Sequence, residues 1–225
     1  MSRNCKYLLT LLMLTVFFGT SHSNAGSNIR LMSYNIRNAT GIDEKRDIKR
    51  TAHIIDSVNP DVVAVQEIDS VTGRSRGANI LAEIAGHTAM HHIFAPAINY
   101  DGGKYGIGIL SKEKPLSHQI FALPGREESR ALLLVEFEKY IFACTHLSLT
   151  EEDRMASLKI INGIAASCNK PFFIAGDMNA HPDEPFIKAF VKDFTILSDT
   201  KAFSFPADNR WNCSTISQLT AALPT

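Results

Sequence analysis

Two short stretches, Gln66-Glu67 and Gly176-Asp177-Met178-Asn179, place carboxylates directly after apolar runs. Val62-Val63-Ala64-Val65 precedes the first and Phe172-Phe173-Ile174-Ala175 the second. Each run reads as a buried strand, so each carboxylate is delivered to a strand end. Two other strand-like runs carry polar groups of the same kind, Asn35 within SYNIR and His146 within CTHLS. Strand ends in a sheet lie side by side, so two carboxylates, an imidazole and two amides can converge on one face. The set is rich in oxygen and lacks a Cys ligand. It suits a hard divalent cation such as Mg²⁺ or Mn²⁺ better than structural zinc. Taken singly, each of the five also reads as a cap or loop hydrogen-bonder, Gly-Asp-x-Asn as a turn, and His181-Pro182 as a loop. Five such positions at successive strand ends argue together for a site.

The elements that must position them alternate along the chain. Asn28 to Arg37 reads as a strand. Asp43 to Asn59 reads as a helix with Ile48, Ala52, Ile55 and Val58 on one face, ended by Asn59-Pro60. A buried strand closes in Gln66-Glu67, and a short helix covers Ala78 to Ala85. Strand-like His92 to Ile98 and Tyr105 to Leu110 come next. Arg130 to Glu138 and Tyr140 to Ser148 form a hairpin pair around Lys139. Glu151 to Ser167 is the clearest helix, with Met155, Leu158, Ile161 and Ala165 at helical spacing, and Glu184 to Phe194 is another. Buried strands separated by helices argue for a layered α/β architecture, and the hairpin argues against a purely parallel sheet. Asn209 to Thr225 shows neither the period of a strand nor a helix stop.

The 225-residue sequence has 23 basic and 23 acidic residues, so nothing in its overall charge advertises a polyanion-binding surface. It opens with Arg3 and Lys6, an apolar run from Leu8 to Phe18, and a small-residue stretch around Ser23-Asn24-Ala25. This is the pattern of an export signal over residues 1–25, too short to span a bilayer, and it predicts a secreted or periplasmic protein. Roughly 200 residues then remain, enough for one domain with a sizeable core. The expected state is a monomer with no stable protein partner. Cys144, Cys168 and Cys213 are odd in number and widely spaced, which is no disulfide framework, and Cys144 reads as a buried free thiol.

The order SYNIR, VVAVQE, YGIGILSK, THLSL and GDMNAHP resembles the endonuclease/exonuclease/phosphatase superfamily, from Ile29 to about Pro206. The resemblance implies an α/β four-layer sandwich, two packed mixed β-sheets flanked by helices, over residues 26–208, with 209–225 a tail outside the family pattern. It implies that Glu67 ligates the metal with Asn35 beside it. Asp177 would orient or deprotonate the attacking water, Asn179 would hold that water or the developing oxyanion, and His146 would contact the scissile phosphate. Arg130 is a phosphate ligand or the partner of a surface ion pair, and Tyr105 faces the cleft or packs in the core. The implied chemistry is phosphoester hydrolysis. A cation offsets charge on the phosphate oxygens, and a carboxylate within reach of the water supplies the base. Nucleic acid, a phospholipid head group and a sugar phosphate are all open as substrates, with the near-neutral charge disfavouring a general nuclease.

Two family motifs expected after Ser204-Phe205-Pro206 have no counterpart: an Asp-aromatic-apolar motif and a terminal Ser-Asp-His. No histidine follows His181. By the resemblance the final strands and the usual His–Asp acid/base couple are missing, and a non-catalytic remnant or binding module is the competing expectation. Ser214 to Ser217 can be encoded so that a shifted frame reads Asp-Tyr-Ile, which is the pattern expected of a frameshifted or truncated hydrolase.

Overall fold

The computed structural model describes residues 28–199 and 216–223. The expected signal segment and the Ser204–Pro206 stretch lie outside the described residues. The described strands and α-helices are, in chain order, β1 (Leu31–Asn35), α1 (Ile48–Val58), β2 (Val62–Ser70), α2 (Ile80–Thr88), β3 (His91–Tyr100), β4 (Gly103–Ser111), β5 (Ser117–Leu123), β6 (Arg130–Glu136), β7 (Ile141–His146), α3 (Glu151–Ala166), β8 (Phe172–Ala180), α4 (Pro185–Phe190), β9 (Thr195–Ile196) and β10 (Ile216–Ala222). None of the described helices is long and apolar enough to cross a membrane.

The strands make two mixed sheets, ordered β1-β2-β4-β3 and β5-β6-β7-β8-β10-β9. Strand β1 runs parallel to β2 and β7 runs parallel to β8, while the remaining pairs are antiparallel. Period-two alternation sorts the side chains into layers. On β2, Val62 and Ala64 face the other sheet, meeting Leu133, Val135, Phe142 and Cys144 there. Val63 and Val65 face outward onto Ala52 and Ile55 of α1 and Ile80, Leu81 and Ile84 of α2. On the six-stranded sheet, Leu132, Ala143, Phe172 and Ile174 point outward onto Leu158 and Ile161 of α3 and Phe186 and Phe190 of α4. The result is helix, sheet, sheet, helix, which is the expected four-layer sandwich. Cys144 is a fully buried free thiol, and burial pushes its pKa up to about 12.

Three expectations change. Helix α1 starts at Ile48 because Asp47 serves as its N-cap, accepting from Arg50 N–H at 2.9 Å, so the residues from Asp43 onward are spent on the approach. The apolar stripe of α3 begins at Arg154, which is 4% exposed, and not at Met155, which is 39% exposed. The stretch 209–225, read as without strand character, supplies β10, which lies antiparallel along β8 and covers that edge. The open hydrogen-bonding edge of β8 dictates this strand more than any apolar pattern in Ile216–Ala222 does. Strand β5 gave no sequence signal because it is an edge strand whose first four residues are exposed.

Candidate active site

Glu67 owes its position to an irregularity in β2. The pairing of β2 with β4 shifts register between Val65 and Ile68, and Glu67 has φ 59°. Regular alternation would place residue 67 on the helix side with Val63 and Val65. Across the bulge Ile68 takes that place, packing with Ile80 and Leu81, and Glu67 is released from the helix face. Gln66, next to it, is fully buried and donates to Cys144 Sγ at 3.5 Å.

The β7–β8 pair positions three more groups. His146 and Asp177 are register partners, and Leu147 N–H donates to the Asp177 carbonyl at 2.9 Å. Gly176 lets the two strands approach closely, since a Cβ there would collide with the Thr145 carbonyl oxygen. Asn179 adopts φ 47°. Its backbone N–H reaches back to Asp177 Oδ1 at 3.0 Å, and its amide donates to the Leu147 carbonyl at 2.8 Å. Two left-handed, non-glycine residues, Glu67 and Asn179, thus sit at the strand ends that carry the site.

Strand β1 joins the two sheets chemically. Asn35 Nδ2 donates to Glu67 Oε1 at 2.7 Å and to Asp177 Oδ2 at 3.2 Å, while its Oδ1 accepts from Arg37 N–H at 3.0 Å. The amide therefore presents its NH₂ to both carboxylates. Burial raises the Asp177 carboxyl to about 6, opposed by the Asn35 and Asn179 hydrogen bonds and reinforced by the charge of Glu67. Burial and the Arg130 cation press His146 down to about 3, against a partial pull from Glu127, so its imidazole is neutral at ordinary pH. Arg130 is only 6% exposed and pairs with Glu127 at 3.0 Å and Glu128 at 2.8 Å. Of its two sequence readings, the ion pair is present, but it is buried beside the site and not on the open surface.

Asn35, Glu67, Arg130, His146, Asp177 and Asn179 all line one cleft of about 670 Å³. Every candidate residue named from sequence is therefore brought together. Tyr105, of whose two placements the core was one, lines this cleft, and its hydroxyl is raised in pKa by burial and by Glu67. The sequence reading missed Glu127, Glu128, Arg154 and Glu184, which line the cleft, and His181, read as a loop residue, lies in the loop after β8 and lines the cleft as well. Arg154 alone left a trace, because it stands at helical spacing from Leu158, Ile161 and Ala165 and so belongs to the buried stripe of α3. Its Nη2 pairs with Glu184 at 2.5 Å, and its Nη1 donates to the carbonyls of Ser148 and Leu149. One guanidinium thereby ties the loop after β7 to the loop after β8.

Among the described residues no three His, Cys, Asp or Glu side chains are gathered into a ready-made metal cage. The donor set fits Mg²⁺ or Mn²⁺ in another way. Mg²⁺ keeps several waters and takes one or two carboxylates, with substrate phosphate completing its shell. Glu67 supplies such a carboxylate, while Asn35, whose Oδ1 accepts from Arg37 N–H, steadies it from beside, and the Asn35 NH₂ between two carboxylates marks a place where positive charge is welcome.

Solved structures share this fold. A protein of this kind from Beutenbergia cavernae superposes with a TM-score of 0.70 at 20% identity over 87% of this chain, which spans 64% of that relative's length. The human Nocturnin catalytic domain, solved with bound sulfate, gives 0.65 at 18% identity, covering 87% of this chain and 81% of that one. A mannosyl-6-phosphatase from Bacteroides thetaiotaomicron gives 0.64 at 15% identity, covering 88% and 86%. No curated protein matches the sequence. A match to the Endonuclease/Exonuclease/phosphatase family runs over residues 32–219, from the strand that carries Asn35 into the strand that covers β8, and the chain belongs to that family, whose members are generally phosphoester hydrolases.

Proposed function

We propose that the cleft hydrolyses a phosphoester with the help of Mg²⁺ or Mn²⁺. The observation that carries this reading is the hydrogen-bonded set Glu67–Asn35–Asp177, which draws the bulge of β2, the end of β1 and the C-terminal part of β8 to one point across both sheets. Glu67, with Asn35 beside it, would hold the cation, which when bound supplies charge stabilisation on the phosphate oxygens. Asp177 serves as the base. Its carboxyl, raised to about 6, is still charged at neutral pH yet basic enough to accept a proton from water. Asn179 turns its backbone N–H onto Asp177 and steadies that carboxylate. His146 is neutral and so meets a phosphate oxygen as a hydrogen-bond donor, with Arg130 adding positive charge nearby.

A second reading is a binding module that keeps the fold and the ligands without turnover. It is favoured by His146, which burial keeps neutral and which therefore brings no acid for the leaving group. Export to the periplasm or outside the cell belongs to the same proposal and is supported by the Arg3–Phe18 pattern; N-terminal sequencing of the secreted protein checks it.

Turnover of a small panel of phosphomonoesters and phosphodiesters, measured with Mg²⁺, with Mn²⁺ and after chelation, separates the two readings. The hydrolase reading expects cation-dependent release of phosphate or alcohol, lost with chelator. Titration calorimetry should show that Glu67→Ala abolishes or greatly weakens Mg²⁺ binding, and unchanged affinity would remove Glu67 from the site.

A further inference from the structure

The cleft carries more charge than the chemistry on one phosphate requires, and its sign bears on the substrate. Segments 124–130, 147–154 and 181–184 flank the cleft on the side of the six-stranded sheet, and in them acidic residues outnumber arginines seven to three. Both arginines that line the cleft are already engaged. Arg130 holds Glu127 and Glu128, while Arg154 holds Glu184 and two backbone carbonyls. No lysine is among the described residues lining the cleft. A second phosphate entering beside the first would find no uncommitted cation there and would face carboxylates instead. Proteins that track a nucleic-acid backbone present the opposite arrangement.

The carboxylates are not free charges either. Glu127, Glu128 and Glu184 are each paired with a guanidinium, which lowers their appetite for a cation but leaves lone pairs to accept hydrogen bonds. Glu127 is saturated by Leu149 N–H at 2.7 Å, Ser148 Oγ–H at 2.9 Å and Arg130. Glu184 is occupied by Arg154 and His181 N–H. Glu128 pairs with Arg130 through Oε1, and its side chain is 30% exposed beside Tyr105 and His146. It is the acceptor best placed to meet a group attached to a bound phosphate.

We propose that the cleft selects esters carrying a single phosphate on an uncharged polyhydroxylated alcohol, with Glu128 as the specificity-determining residue, and that it turns away polyanions. This inference rests on the hydrolase reading for its kinetic test but makes a separate claim about selectivity. Hydroxyls match Glu128, whose second carboxylate oxygen lies outside its Arg130 pair and accepts an O–H.

The test compares a hexose 6-phosphate, phosphoethanolamine, p-nitrophenyl phosphate and a short single-stranded oligonucleotide, using the full chain with Mg²⁺. The wild type should prefer the hexose phosphate over the other three. Glu128→Ala should lower kcat/KM for the hexose phosphate about tenfold, mainly through KM, since it removes a hydrogen bond to substrate. The ratio of kcat/KM for the hexose phosphate to that for p-nitrophenyl phosphate should fall about tenfold, and oligonucleotide binding should strengthen, because Arg130 then keeps one carboxylate partner and not two. Glu128→Gln should also gain oligonucleotide binding while keeping the cleft's shape, and melting curves check that both variants fold. A merely structural role would depress all substrates together, and that result overturns the proposal. So does a wild type that prefers the oligonucleotide or phosphoethanolamine. If no ester turns over with either metal, the hydrolase reading falls. Selectivity is then read from calorimetric binding of the same compounds, where equal or tighter oligonucleotide binding overturns it.

Discussion

Asp177 is held from two sides, by the Asn35 amide at 3.2 Å and the Asn179 backbone at 3.0 Å, in a place where burial and Glu67 both oppose its charge. A buried carboxylate kept at such a disadvantage by its surroundings is costly to the fold, and a functional role explains the cost. Asp177→Asn keeps the shape and removes the charge. We expect kcat to fall by about a hundredfold or more, the scale of a lost general base, while the melting temperature stays level or rises. Steady-state kinetics beside thermal melting decides it. If the variant instead unfolds and its folded fraction keeps full specific activity, Asp177 is a structural cap.

At the scale of elements, the site depends on two departures from regular strand geometry. The β2 bulge turns Glu67 away from the α1–α2 layer, and the close β7–β8 approach at Gly176 sets His146 and Asp177 side by side. Gly176→Ala places a methyl group against the Thr145 carbonyl, a backbone atom that can give way only if the strands separate. Overpacking of this kind costs about 1–3 kcal/mol. Denaturant unfolding should report that loss, and kcat should fall with it because both side chains move. A variant with wild-type stability and activity would show that the strands have slack at this point. Arg154 acts at the same scale, because the two loops it ties follow the strands that end in His146 and Ala180.

For the whole molecule, three apolar layers, helix on sheet, sheet on sheet and sheet on helix, surround a cleft that opens at the strand ends. Ionisable groups beside that cleft tie stability to pH. Burial opposes the charge of Glu127, but hydrogen bonds from Leu149 N–H, Ser148 and Arg130 outweigh it and hold the carboxyl at about 2. Its folded-state pKa is depressed, so its contribution is complete above pH 4.5 and disappears as pH falls through about 2. His146 works in the same direction. The fold keeps it neutral down to about 3 while the unfolded chain takes a proton below 6.5, so stability is lost as pH drops across that interval. Asp177 works the other way, because its raised carboxyl takes up a proton in the fold between about 6 and 3.8 and offsets the His146 loss there. The melting temperature should therefore fall most clearly below about pH 4. Glu127→Gln should lie below wild type near neutrality and converge with it towards pH 2. Parallel curves across the whole range would refute the assignment for Glu127.

The sequence alone determined the layers and the strand ends. Runs such as Val62–Val65 and Phe172–Ala175 are apolar on both faces, which only a covered sheet tolerates, and the polar residues closing them had to emerge at a rim. That local logic was enough to name Asn35, Glu67, His146, Asp177 and Asn179 as one group, and Arg130 was added by the family resemblance. The local logic failed where a neighbour decides the outcome. Strands β5 and β10 exist because β6 and β8 offer hydrogen-bonding edges, and their own side chains show little of it. Tyr105 and His181 face the cleft only because loops distant in sequence leave space there. The Asn35 amide bridges carboxylates 32 and 142 residues away. The partners of Arg130 and Arg154, and with them the charge that a substrate meets, follow from the same packing. Periodicity records how a segment meets water or core, whereas pairings across the fold are set by the shape that all the segments make together.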